Sequence, residues 1–151
     1  MGWVDALMGT TVALDTAAFI YYAEEHPRYL PLVEPLFDAL DQGRLQAVAS
    51  TVALLEVLVV PLRNGDTNLA HAYRDIFIGS EVLTLIPVLP EVAEYAAHLR
   101  AHYQVRTPDA LHLATALHAG ATHFITNDDR LPAVPGIRIV LLDDLRQPDA
   151  A

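Results

Sequence analysis

Short apolar runs alternate with helical patterns along almost the whole chain, and this alternation constrains the fold more than any other feature. Strand-like runs occupy residues 11–14, 46–49, part of 82–88, 123–126 and 137–142. Helical patterns occupy residues 16–25, 32–42, 51–63, 68–78, 91–102 and 108–119. The last of them is predicted to begin at Pro108, with Thr107 as its N-cap. Strands that alternate with helices in this way pair in parallel through right-handed crossovers. The sequence therefore predicts an α/β sandwich with a parallel sheet.

The size and composition of the chain favour one domain. The chain has 151 residues, of which 53% are apolar and 19% charged, and it contains no repeat or long linker. Cysteine is absent, which excludes disulfides, a thiolate nucleophile and a cysteine zinc site. Residues 1–9 do not resemble a secretory signal, and no apolar run reaches the length of a membrane span. We expect a single domain over residues 1–151, cytoplasmic and with no membrane partner.

The charge of the chain excludes some functions and argues against others. The formal net charge is −10, and all nine basic residues are arginine. The lack of lysine excludes a P-loop and any Schiff-base mechanism. The acidic balance argues against simple nucleic-acid binding, which basic patches dominate.

Four acidic residues lie within, or directly after, apolar or strand-like segments. Asp15 follows the first strand, Glu56 lies inside the apolar run 52–60, Asp109 opens a helix, and Asp128 follows residues 124–127. Carboxylates avoid apolar surroundings unless they are paired or bind a metal. Because the carboxyl ends of parallel strands share one edge of a sheet, we expect these acids to form one site there.

Each acid also has a purely structural interpretation. Asp15 is a good helix N-cap, and Asp109 in a first helical turn is favoured by the helix dipole. Glu56 could pair with Arg63, although Pro61 lies between them. Asp128 suits an Asx-turn at a strand end.

A cluster of four acids predicts a hard divalent cation. Carboxylate oxygens suit Mg²⁺ or Mn²⁺, and one or two such ions could activate water for attack on a phosphodiester. A competing arrangement is the i, i+4, i+8 series Glu94, His98 and His102, which we interpret as an ordinary solvated helix face and not as a zinc site.

Four stretches of the chain resemble the PIN-domain family, especially the VapC-type toxins of type II toxin–antitoxin systems. They are Val12-Ala-Leu-Asp-Thr-Ala17, Ser50-Thr-Val-Ala-Leu-Leu-Glu-Val57, Thr107-Pro-Asp-Ala-Leu-His-Leu-Ala-Thr-Ala-Leu117 and Thr126-Asn-Asp128. With the intervening elements, the resemblance covers about residues 11 to 145. It implies a three-layer α/β/α sandwich that cleaves RNA with Mg²⁺ or Mn²⁺. It also implies a homodimer and a cognate antitoxin that covers the active-site groove.

The resemblance assigns roles to individual residues. The metal-binding and catalytic acids would be Asp15, Glu56, Asp109 and Asp128, with Asp128 preferred over Asp129. Thr16 and Thr126 match the family's polar residues beside the acids. From the residues themselves, Thr126 and Asn127 could hydrogen-bond to the carboxylates or to a metal-bound water. His112 could orient a carboxylate or contact substrate, although such a histidine is more often a core residue. From their proximity to the acidic motifs in sequence, the candidates for phosphate contacts are Arg63, Arg106 and Arg130. The main expectation is a toxin endoribonuclease. A non-catalytic protein-binding module and a phosphatase for small phosphate esters are the alternatives.

Overall fold

The central sheet has five strands, all parallel, in the order β3-β2-β1-β4-β5. The computed structural model describes residues 2–145, so Met1 and residues 146–151 of the predicted domain lie outside it. The strands are β1 Thr11–Leu14, β2 Gln46–Ser50, β3 Leu83–Ile86, β4 His123–Thr126 and β5 Arg138–Leu141. The parallel sheet predicted from the alternation of elements is confirmed.

Helices cover both faces of the sheet and make the fold a three-layer α/β/α sandwich. They are α1 Thr16–Ala23, α2 Leu30–Asp41, α3 Thr51–Arg63, α4 Thr67–Phe77, α5 Pro90–His102 and α6 Thr107–His118. Short 3-10 helices span Trp3–Leu7 and Leu142–Leu145. Helices α1 to α4 contribute to one hydrophobic cluster, and α5 and α6 contribute to the other.

The strands are apolar on both faces because both faces are covered. In β1, Val12 and Leu14 pack in the cluster of α1 to α4, and Ala13 packs in the cluster of α5 and α6. In β4, Ile125 and Phe124 divide between the two clusters in the same way. Continuous apolar runs are expected of parallel strands that are buried on both sides. Within residues 2–145, no helix is both long and apolar enough to cross a membrane.

Two predicted element boundaries are wrong in ways that matter for the site. The strand predicted over residues 137–142 ends at Leu141, because Leu142 begins a 3-10 helix. The helix predicted to begin at Pro108 with Thr107 as its N-cap begins at Thr107, with Arg106 as the N-cap residue. Proline is tolerated throughout the first helical turn, since those N–H groups lack intrahelical partners anyway. Asp109 therefore occupies the third helical position.

The strand order creates a crevice between β1 and β4. The chain runs outward from β1 through β2 to β3, and later returns to β4 on the other side of β1. In open α/β sheets, ligands bind at such a switch point, beyond the carboxyl ends of the strands. Asp15 directly follows β1, and Asn127 and Asp128 directly follow β4.

Candidate metal centre

All four predicted acids line one open groove of about 390 Å³ at the carboxyl edge of the sheet, which we call the acidic groove. They come from four different elements: the end of β1, the second turn of α3, the first turn of α6 and the end of β4. They are Asp15, Glu56, Asp109 and Asp128. The sequence prediction that these side chains share one edge therefore agrees with their placement.

Asp15 caps α1, as its structural interpretation expects, and it also lines the acidic groove. One carboxylate oxygen accepts the backbone N–H of Ala17 at 3.0 Å, which caps α1. The other accepts a hydrogen bond from the hydroxyl of Thr126. Burial raises the pKa of Asp15 to about 6, although both hydrogen bonds oppose the shift. An acid that is costly to ionise becomes a good cation ligand, because a cation offsets the lost hydration.

Glu56 is held by His112, its partner across the packing of α3 against α6. The imidazole Nε2 lies 2.6 Å from a carboxylate oxygen of Glu56, and the His112 side chain is buried. Within residues 2–145, the buried His112 Nδ1 has no hydrogen-bond partner. Because a carboxylate can only accept, Nε2 carries the proton in this contact. Of the roles that the sequence left open for His112, the geometry favours orienting a carboxylate.

Asp109 faces the other acids from the start of α6. Burial is the largest cause of a raised pKa of Asp109, and repulsion from Asp128 and Glu56 raises it further. Electrostatic interaction with His112 and Arg106 acts in the opposite direction. A cation bound in the groove would offset both effects on Asp109, the lost hydration and the repulsion from the neighbouring carboxylates.

Asp128 is paired with an arginine in the structure as it stands. One carboxylate oxygen accepts both the backbone N–H and the Nε–H of Arg130, each at 3.0 Å. These bonds hold the pKa of Asp128 below its usual value. The neighbouring Asp129 is exposed and does not line the acidic groove. Of the two neighbours, Asp128 is thus the one that lines the groove, and its role as a metal ligand stays a prediction.

The polar residues beside the acids divide into two groups. Thr126 is fully buried, donates to Asp15 and accepts the backbone N–H of Asp128 at 3.1 Å, so it ties the two strand ends together. Thr16 lines the groove. Asn127 was expected to bond to a carboxylate or a metal-bound water. Its amide instead donates to the hydroxyl of Tyr21 at 3.0 Å, and its oxygen accepts the backbone N–H of Asp143 at 3.0 Å.

Tyr21 is the groove residue that the sequence analysis missed. It lines the acidic groove together with Ala17, which lies four residues earlier on α1. Residues four apart share a helix face. Because Ala17 lies two residues after Asp15, the predicted N-cap, this spacing was a signal available in the sequence.

Two of the three candidate arginines reach the groove. Arg106 and Arg130 line it, whereas Arg63 is exposed near the C-terminal end of α3 and is not part of the lining. Arg63 is seven residues from Glu56, about 10 Å along a helix at 1.5 Å per residue. The structural pairing considered for Glu56 therefore goes to His112 and not to Arg63.

The donor set fits a hard divalent cation, but it is not closed around one. Four carboxylates supply only oxygen ligands, which Mg²⁺ and Mn²⁺ prefer. In the part of the chain that is described, no group of three Asp, Glu or His side chains is already arranged to enclose an ion. Glu56 and Asp128 are turned toward His112 and Arg130. On α5, the series Glu94, His98 and His102 is exposed, as expected of a solvated face.

The sequence and the fold of the chain were both compared with those of known proteins. A sequence model described as the PIN domain matches residues 12–137. A search of curated proteins finds no match. The fold is similar to solved structures, which at these identities establish the fold alone. VapBC2 from Rickettsia felis, bound to a fragment of its promoter DNA, has a TM-score of 0.68 at 18% identity, covering 87% of this chain and 98% of that one.

Two further structures have the same fold. A toxin–antitoxin complex from Klebsiella pneumoniae has a TM-score of 0.65 at 22% identity, covering 87% of this chain and 97% of that one. Mycobacterium tuberculosis VapC20, described as a Sarcin-Ricin loop cleaving toxin, has a TM-score of 0.64 at 16% identity, covering 79% of this chain and 91% of that one.

Proposed function

The chain belongs to the PIN-domain family, and we propose that it is a divalent-metal-dependent endoribonuclease, the toxin of a toxin–antitoxin pair. One observation carries the proposal. Four carboxylates from four separate elements converge on one open groove at the switch point of the sheet. A purely structural use would not require all four to face the same solvent-accessible space. The groove is open to solvent, as access of a polymer substrate requires.

Mg²⁺ or Mn²⁺ is the cofactor that this donor set suits. Asp15, Glu56, Asp109 and Asp128 would hold one or two ions, and Asp128 would exchange its contact with Arg130 for the metal. An ion bound there supplies positive charge that makes water more acidic and stabilises the oxygens of the attacked phosphate.

The residues around the acids have distinct tasks in this proposal. Thr126 fixes the position of Asp15 relative to Asp128, because its hydroxyl bonds to the carboxylate of the first and to the backbone N–H of the second. His112 fixes the direction of Glu56. Arg106, together with Arg130 once it is released, contacts the phosphate oxygens of the substrate. The protein forms no covalent intermediate in this scheme, because it relies on carboxylate ligands and on activated water.

An antitoxin is the second partner we propose. The similar structure from Klebsiella pneumoniae is described as a toxin–antitoxin complex, and the one from Rickettsia felis is VapBC2 bound to a fragment of its promoter DNA. For this chain, the antitoxin would cover the acidic groove and block access of RNA. A short neighbouring reading frame that encodes a small DNA-binding protein, and that co-purifies with this chain, would support the assignment.

A homodimer is the assembly we propose, with α3 at its centre. Leu55, Val59 and Leu62 are 63%, 40% and 65% exposed and lie on one face of α3. We call these three residues the α3 stripe. Their i, i+4, i+7 spacing is that of a helix that packs against another helix. A two-fold axis would bring the stripe against its own copy.

Cleavage of RNA by matched variants tests the enzyme assignment. Total RNA is incubated with Mn²⁺ or Mg²⁺, and the new 5′ ends are mapped for wild type, Asp15→Asn, Asp109→Asn and Asp129→Asn. The first two variants should lose at least 100-fold in rate, since losing one ligand weakens metal binding and charge stabilisation together. Asp129→Asn changes the charge by the same amount outside the groove and should keep wild-type activity. Equal cleavage by all four proteins would indicate a contaminating nuclease.

Two further measurements distinguish a ribonuclease from the alternative functions, a phosphatase for small phosphate esters and a non-catalytic binding module. The net charge of −10 favours a small phosphate ester over a long polyanion, so a panel of phosphate monoesters is assayed in parallel. Turnover of a monoester without any mapped RNA cut would indicate a phosphatase. Calorimetric titration with Mn²⁺ addresses a non-catalytic binding module, which would be folded but would bind no metal.

A further inference from the structure

An aromatic cluster borders the acidic groove, and within residues 2–145 none of its side chains hydrogen-bonds to the four acids themselves. The rings of Tyr21 and Tyr29 are stacked, with centroids 4.2 Å apart and planes 14° apart. The ring of His26 lies 5.2 Å from Tyr21 and 5.0 Å from Tyr29. Tyr29 is buried, whereas Tyr21 and His26 keep partial exposure. The cluster therefore presents Tyr21 and His26 to solvent, with Tyr29 as backing.

Hydrogen bonds fix this cluster to the loop that carries Asp128. The Tyr21 hydroxyl accepts from the Asn127 amide at 3.0 Å, and Asn127 directly precedes Asp128. The Tyr29 hydroxyl donates to the Asp143 carboxylate at 2.6 Å, and Asp143 N–H donates to the Asn127 oxygen. Tyr21 is thus held from two sides while it lines the groove. A ring fixed in this way loses little conformational entropy on binding a ligand.

Because the molecule is acidic overall, binding of RNA at this groove would depend on contacts other than charge attraction, and an aromatic ring can supply one. The net charge is −10, and one of the two groove arginines, Arg130, is already paired with Asp128. Long-range attraction to phosphates is therefore weak. Stacking of a base on an aromatic ring does not depend on net charge, and it is the usual way in which proteins hold unpaired bases.

We propose that Tyr21, backed by Tyr29, stacks against an unpaired RNA base next to the scissile phosphate, with His26 bordering the same base. This inference rests on the proposed ribonuclease function and deepens it. Tyr21 is then a substrate-contacting residue that selects RNA whose bases are free to leave a helical stack. The phosphate beside that base lies toward the acids, since Tyr21 and Asp15 line the same groove.

An abasic scan combined with Tyr21 variants tests the contact. RNA oligonucleotides that span the mapped cut carry one abasic nucleotide at each position in turn. For wild type, one position should raise KM roughly tenfold, the size expected for one lost stacking contact. Tyr21→Leu should raise KM by a similar factor on the intact oligonucleotide and should be insensitive to the abasic nucleotide at that position. Tyr21→Phe keeps the ring and should keep the sensitivity.

The controls separate stacking from a structural role. Tyr95→Leu makes the same chemical change at an exposed position on α5, outside the groove lining, and should leave KM and kcat unchanged. If Tyr21 acted only by holding Asn127, Tyr21→Phe would lower kcat and Mn²⁺ affinity with little change in KM. That pattern would overturn the proposal.

A cross-linking experiment avoids any dependence on the folding of Tyr21→Leu. Asp109→Asn protein is irradiated with oligonucleotides that carry 5-iodouridine at each position around the cut, and the adduct is located by mass spectrometry. An adduct on Tyr21 supports the proposal, and adducts only at other residues overturn it. RNA cleavage by wild type without any abasic effect on KM would overturn this inference alone. Absence of RNA cleavage would instead remove the proposed function on which it rests.

Discussion

Asp15 illustrates how one residue can satisfy a structural and a functional interpretation together. Its carboxylate caps α1 through Ala17, receives the Thr126 hydroxyl and still lines the acidic groove. A capping aspartate at a helix N-terminus is stabilising when it is exposed. Here burial among other acids reverses part of that benefit, which is why its pKa rises to about 6.

The first residue-scale prediction concerns stability and pH. The pKa of Asp15 is raised from 3.8 to about 6, so the folded chain binds this proton more tightly than the unfolded chain does. The contribution to stability is fully present below about pH 4 and is lost as pH rises through about 6. In EDTA, the stability of Asp15→Asn relative to wild type should therefore increase by about 2 kcal/mol from pH 4.5 to pH 8.

Urea unfolding at the two pH values measures this difference. Asp129→Asn is the matched control, because it removes the same formal charge from an exposed residue outside the acidic groove. Added Mn²⁺ should stabilise wild type and not Asp15→Asn. A stability difference between Asp15→Asn and wild type that is the same at pH 4.5 and pH 8 would contradict the raised pKa.

The second residue-scale prediction concerns His112. Removing the imidazole with His112→Leu frees Glu56, which should weaken Mn²⁺ binding roughly tenfold, as for other residues that orient a metal ligand. The unfolding free energy should not fall, because the substitution also removes a buried Nδ1 that lacks a partner within residues 2–145. Calorimetric titration and urea unfolding report the two quantities separately. The control is His118→Leu, at an exposed position of the same helix.

These residues also mark the limit of what the sequence could predict. The convergence of Asp15 and Asp128 follows from a topological rule, since both follow parallel strands. The contact of His112 with Glu56 joins residues 56 positions apart, and that of Tyr21 with Asn127 joins residues 106 positions apart. Both contacts depend on how α3, α6 and α1 are rotated about their axes, and periodicity alone does not determine that rotation.

At the scale of elements, types were predicted well and ends less well. The start of α6 is the clearest case. A threonine before proline is a good N-cap by local rules, yet the hydroxyl of Thr107 accepts a hydrogen bond from Arg100 at 3.0 Å, across the turn from α5. The hydroxyl of Thr107 therefore bonds to Arg100 of α5 and not to the backbone N–H groups of its own helix. No local pattern in the sequence identifies Arg100 as its partner.

The element-scale prediction tests this connection between α5 and α6. Arg100 also donates to the carbonyl of Val105 at 3.2 Å, so Arg100→Met should lower the unfolding free energy by about 1 kcal/mol. Thr107→Val should cost a similar amount in wild type and almost nothing in the Arg100→Met background, because both changes break one contact. Urea unfolding of the four proteins measures the coupling. Equal costs of Thr107→Val in both backgrounds would indicate that Thr107 caps the helix after all.

At the scale of the whole molecule, two surfaces have opposite characters. The acidic groove concentrates carboxylates between β1 and β4, whereas the α3 stripe exposes large apolar side chains. Both involve α3, since Glu56 lies on the same helix as Leu55 and Val59. The sequence showed α3 as an almost wholly apolar helix, but it could not show that part of the apolar surface stays exposed. That depends on the neighbours that α3 acquires, which include α4 and α6.

The last prediction concerns assembly through the α3 stripe. If the stripe packs against its own copy, Leu55→Glu should place two like charges near a two-fold axis and dissociate the dimer. Because Leu55 is 63% exposed in the single chain, the substitution should leave the fold and its thermal unfolding almost unchanged. Sedimentation equilibrium should give the mass of two chains for wild type and of one chain for Leu55→Glu. Tyr95→Glu, on α5 in the opposite layer, should remain dimeric. A variant that stays dimeric, or a wild type that is monomeric at micromolar concentration, would show that this stripe does not join two copies.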